Sequence, residues 1–152
     1  MLELSDELRD ALNADDAQEF MELLQRRHPR DVRALQALIT ADPAVPSHYR
    51  TKALYALGWW GDPSVVPMIR RVLPQLDERG RIGAVSALGN LGTAAAVSEI
   101  AEHVTDRSEQ VRKTAVLALR RVASAKARQK LREVASTDPV KWVRELAAHD
   151  LD

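Results

Sequence analysis

Ala56-Leu57-Gly58 returns as Ala87-Leu88-Gly89 and again, loosened, as Ala118-Leu119-Arg120, each copy 31 residues after the last. The same offset aligns Arg50, Arg81 and Arg112, then Ala53, Ala84 and Ala115, then Leu54, Val85 and Val116. Trp60, Leu91 and Val122 share another column, as do Ile69, Ile100 and Leu131. A fourth copy starts one residue late, with Val143-Arg144 and Ala147 standing 32 residues after Val111-Arg112 and Ala115. So many columns at one period point to a stacked array of small units.

Within a copy the apolar spacing is helical. Ala53, Leu54, Leu57 and Trp60 follow an i, i+1, i+4, i+7 pattern, and Val65, Ile69 and Val72 resume it after a break. At that break Gly61 suits a left-handed helix end, Asp62 a cap and Pro63 a first helical position. The second copy has Gly92-Thr93 at the matching place, and the third has Ala123-Ser124, which keeps only the capping hydroxyl. Each unit reads as a helical hairpin too small to bury its own apolar face, so stacking must bury it. Small residues at 53, 56, 84, 87, 115 and 118 allow the helices to approach closely. Upstream, Asp15 with Gln18 predicts a capped helix to about Arg27, and a second runs from about Pro29 to Ala41, ended by Asp42-Pro43-Ala44-Val45-Pro46. Leu4, Leu8 and Leu12 predict a short capping helix over 5–12.

The resulting plan is one all-α domain. It has an acidic capping helix (1–14), a divergent repeat (15–46), repeats at 47–77, 78–107 and 108–138, and a terminal helix (139–152). The columns Arg50…Ala53…Ala56-Leu57-Gly58…Gly61-Asp62-Pro63…Val66-Pro67, echoed by Val111-Arg112…Ala115…Ala118-Leu119, resemble HEAT repeats. More specifically, they resemble the short bacterial phycobilisome-lyase HEAT-like variety. The resemblance covers 47–152 clearly and 15–46 weakly. It implies a right-handed, armadillo-type α-solenoid of about four helix pairs. It also implies an Asp–Arg ladder between units, for which Asp106 with Arg112 and Asp138 with Arg144 have the six-residue spacing. Arg50 and Arg81 have no acid six residues earlier, so the ladder is expected to be incomplete on the N-terminal side.

Composition excludes several kinds of chemistry. The 152 residues contain no cysteine, which removes disulfides, thiol nucleophiles and Cys-ligated zinc. No apolar run approaches the roughly 20 residues of a membrane span, and the acidic start is unlike a signal peptide, so a cytoplasmic protein is expected. His28, His48, His103 and His149 lack metal-ligand spacing, and the His-Glu dipeptides of the HEAT-like deoxyhypusine hydroxylases do not occur. His103 shares the Val72/Val134 column and reads as a core residue with a hydrogen-bond partner, whereas His149 reads as solvated. Neither a nucleophile elbow nor a phosphate-binding glycine loop is present, so neither catalysis nor a cofactor is expected.

What remains is a binding surface. Net charge is zero, yet residues 1–25 carry eight acids and one base, and residues 107–132 carry nine bases and one acid. Trp59 stands in a column otherwise filled by Asn90 and Arg121, which leaves it free either to pack on the first repeat or to anchor a partner. Trp142 poses the same alternative. Core demand in the third repeat is met by Ala127, Leu131 and Val134, so Arg120, Arg121, Lys126, Arg128, Lys130 and Arg132 point mostly to water. The resemblance places several of them on the concave side. The reading is a non-catalytic scaffold for a protein partner with an acidic surface. Nucleic-acid phosphate is the alternative ligand, and a subunit role in a lyase-type or other enzyme complex is a further alternative. Self-association through the acidic N-terminal arm is also open.

Overall fold

The computed structural model describes residues 5–25, 29–40, 45–149 and 151. Leu4, Arg27, His28, the Asp42-Pro43-Ala44 break and Asp150 lie outside them. Ten α-helices and no strand occur among the described residues. They are α1 (Asp6–Asn13), α2 (Ala17–Leu24), α3 (Pro29–Thr40), α4 (Ser47–Trp59) and α5 (Val65–Val72). Then follow α6 (Glu78–Leu91), α7 (Ala94–Glu102), α8 (Glu109–Val122), α9 (Ala125–Thr137) and α10 (Lys141–Ala148).

Local chemistry starts and stops these helices where the repeat requires. Asp77, Thr93, Ser108 and Ser124 each accept a hydrogen bond from a first-turn amide of the helix that follows. Gly61 and Gly92 take left-handed backbone at φ 74° and 65°, and Ala123 does so at φ 52° without the freedom of glycine. Two expected caps sit differently. Asp16, not Asp15, accepts from the Gln18 and Glu19 amides at 2.8 and 3.0 Å. Asp62 turns the chain by accepting from the Ser64 amide at 2.9 Å, so α5 begins at Val65 rather than at Pro63.

The first helices of the hairpins, α4, α6, α8 and α10, pack in series, and α5, α7 and α9 form a second layer beside them. At the N-terminal end α3 packs on both α4 and α5, while α1 lies against α2 and α4. The repeat columns are the core: Ala53, Ala84, Ala115 and Ala147 are fully buried, as are Leu57, Leu88 and Leu119. Stacking is the source of that burial, and each enclosed Leu or Ile contributes about 1.5–3 kcal/mol. Small residues set the separation. A β-carbon at Gly58 would overlap the Ala87 carbonyl, and one at Gly83 would overlap the Thr51 methyl, so α4 and α6 meet backbone to backbone. Trp60 is half-buried and donates its indole N–H to the Leu24 carbonyl at 2.8 Å, tying α4 to the first hairpin.

Candidate interaction surface

The stacked hairpins have two edges: one made by the turns within hairpins (60–64, 92–93, 123–124), the other by the loops between them (76–77, 106–108, 138–140). The arginine column runs along the loop edge. Arg112 donates to the Asp138 carboxylate through Nε at 2.8 Å and Nη2 at 3.4 Å, and to the Asp106 carbonyl at 3.0 Å. Arg81 repeats the pattern one unit earlier, donating to Asp106 at 2.8 and 3.2 Å and to the Leu76 carbonyl at 3.3 Å. Arg144 donates to the Asp138 carbonyl at 2.6 Å. Each carboxylate also accepts the amide two residues on, Ser108 or Val140.

The six-residue spacing therefore joins an arginine to a backbone carbonyl, and the carboxylate comes from the next unit. For that reason Arg81 takes part despite having no acid six residues before it, which corrects the expectation at this rung. Burial alone would raise the Asp106 carboxyl. The Arg81 hydrogen bonds and the Ser108 amide outweigh that and hold it below its ordinary value. His103, 4% exposed, lies beside this rung, and its buried Nε2 meets no hydrogen-bonding group among the described residues. Burial lowers its pKa, against the opposing pull of Glu99 and Asp106. Missed by the sequence reading is the buried Glu99, which pairs with Arg70 of the preceding unit.

The candidate binding residues divide between the two edges. On the turn edge, the column Trp59, Asn90, Arg121 forms a surface row, with Arg121 donating to Asn90 across the repeat at 2.6 Å. Trp59 is 50% exposed, which leaves half of it clear of the first repeat. Beyond Arg121 opens a recess of about 480 Å³ lined by Leu117, Arg120, Arg121, Arg128, His149 and Leu151. Leu117 is 41% exposed and was not among the residues singled out. Its column holds Tyr55 and Ser86, a mixed set that already marks it as a non-core position. Arg120 meets the exposed His149 at 3.0 Å, and Arg128 donates to the Ala123 carbonyl at 2.7 Å. Lys126 is exposed and reaches Ser98 at 2.7 Å.

Elsewhere, Lys130 pairs with Glu133 at 2.8 Å and lines a separate cleft of about 280 Å³ beside the Arg112 rung. Arg132 is exposed on α9, and Trp142, 37% exposed, stands at the start of α10 by the loop edge. The basic segment is thus not one patch. Among the described residues no group of three or more His, Cys, Asp or Glu side chains could hold a metal ion, and no helix is long and apolar enough to cross a membrane.

Two-helix units stacked in register, coupled by an Arg–Asp ladder, define an all-α solenoid. The family model for HEAT repeats matches residues 69–152, more than half of the chain, and the protein belongs to that family. Comparison with curated proteins gives no match. HEAT repeats generally mediate protein–protein interaction, and the family is typically a non-catalytic scaffold.

Proposed function

We propose that the chain is a non-catalytic scaffold that docks a protein partner with an acidic surface on its turn edge. The observation that carries this reading is the recess at the third hairpin, which Arg120, Arg121 and Arg128 line together with exposed Leu117. Arginines around an apolar floor suit a carboxylate-bearing segment with an apolar side chain, since each guanidinium offers five donors in a planar fork. Trp59, in the same row as Arg121, adds an aromatic anchor of the kind that dominates binding energy. Lys130 belongs to the other edge, so it stands outside the surface.

The test is retention of a partner from native lysate on the immobilised full chain. Trp59→Ala is expected to cost about 2 kcal/mol or more, roughly a thirtyfold loss. Arg121→Glu with Arg128→Glu is expected to abolish retention by placing like charges together. A partner held unchanged by both variants overturns the reading.

A further inference from the structure

The molecule is a dipole with zero net charge. At the N-terminal end Asp6, Glu7, Asp10, Asp15, Asp16, Glu19 and Glu22 are all exposed on α1, α2 and the turn between them, with Arg9 the one base among residues 5–25. A recess of about 500 Å³ opens there, lined by Asp10, Asn13, Asp15, Asp16 and Glu19 together with Ala14. Some of its groups are occupied: Asp16 caps α2, and Lys52 reaches past it to the Leu12 and Ala14 carbonyls. Asp10, Asp15 and Glu19 keep their carboxylates toward solvent. At the other end lies the arginine recess of about 480 Å³, in a region where residues 107–152 hold eleven bases and six acids.

We propose that the arginine recess receives the acidic α1–α2 end of a second copy of the chain, so that molecules associate head to tail. The proposal rests on the reading of that recess as a docking site and names its occupant. Three observations favour a second copy. The two surfaces carry opposite charge. They lie at opposite ends of the array, so one contact leaves both outer surfaces available for the next. And a net charge of zero gives no overall repulsion to oppose the approach. The two surfaces differ and lie at opposite ends of the array, which makes the contact heterologous and open-ended rather than a closed pair.

Sedimentation of the full chain tests it. At about 10 mM salt, where charges act over roughly 30 Å, the weight-average mass should climb with protein concentration. At about 1 M salt, where the reach is roughly 3 Å, it should fall to that of the monomer. Arg121→Glu/Arg128→Glu and, separately, Asp10→Lys/Asp15→Lys/Glu19→Lys should each weaken association roughly tenfold or more, since each variant then bears like charge at both ends. Mixing the two variants restores opposite charges and should restore the mass increase, which an unfolded variant could not do. A monomer throughout the low-salt series, association unmoved by either reversal, or no recovery on mixing would each overturn the proposal. A monomeric chain whose arginine variant still loses its lysate partner would remove this inference alone. Partner retention unmoved by that variant and by Trp59→Ala would remove the docking reading itself.

Discussion

The hairpins from α6 to α9 share their apolar columns with α4 and α5 but not with α1 to α3, and the helices before α6 are joined by different means. In the C-terminal region every helix from α6 to α9 has a side-chain cap, and two buried guanidinium–carboxylate rungs lock unit to unit. In the N-terminal region α4 and α5 begin without a side-chain cap; Gln36 reaches Asp62 and Ser64, Lys52 and the Trp60 indole reach backbone carbonyls of the helices before them, and α4 meets α6 in close contact at Gly58 and Gly83. Buried small and branched residues run through both regions, and the Arg81 and Arg112 rungs add charged links between the C-terminal units. A solenoid in which each unit touches only its neighbours can be unequally stable along its length.

The largest expected effect comes from breaking a rung. Arg112→Met leaves the Asp138 carboxylate, whose side chain is 2% exposed, without its cation, and should cost about 3–5 kcal/mol of unfolding free energy in urea. Adding Asp138→Asn should recover part of that. The neutral amide needs no cation, and its oxygen still accepts the Val140 amide. Hydrogen exchange sharpens the comparison: protection should fall in α8, α9 and α10 and hold in α3 to α5. An equal fall along the array would show one cooperative unit and erase the distinction between regions.

A smaller effect follows from acid. His103 is buried and its folded pKa lies below the ordinary 6.5, so the unfolded chain takes up the proton first. Stability from this site is present above pH 6.5 and is lost as pH falls below it. Asp106 is held below its ordinary 3.8, so its contribution is present above that value and is lost as pH falls further, through the folded pKa. Denaturation midpoints should decline in two steps on acidification. His103→Val, which matches Val72 and Val134 in its column, should remove the step just below pH 6.5 and leave the lower one. A first step that persists in His103→Val would assign it to another group.

The fold was legible because helix stacking repeats every 31 residues, so that columns carry the signal three times over. Legible too were the buried small residues and the hydroxyl caps at Thr93 and Ser124. The partners within the ladder were not, because spacing along the chain reports neighbours on one unit while the carboxylate crosses to the next. Arg81 illustrates this: its partner Asp106 is 25 residues away. The surface was only partly legible for the same reason. Charge counted along residues 107–132 merges Lys130, at the loop edge, with Arg121, at the turn edge, although the hairpin holds them apart. Leu117 was hidden because one exposed leucine in an amphipathic helix looks like its buried neighbours until the columns are compared.

The smallest effect isolates the one place where a C-terminal unit departs from the better-formed pattern. Ala123 ends α8 in the left-handed region at φ 52°, where Gly92 ends α6 at φ 65°. A side chain there costs about 1–2 kcal/mol, against roughly 0.5–1 kcal/mol of extra chain entropy lost by glycine. Ala123→Gly should therefore stabilise by about 0.5–1 kcal/mol and raise Tm by a few degrees, while Gly92→Ala should lose a similar amount. Because the Ala123 carbonyl that accepts from Arg128 is unchanged by the substitution, binding at the arginine recess should not weaken. Stability gained together with binding lost would mean that the strained turn holds Arg128 in place, and the third hairpin would then differ from the second for the sake of its surface.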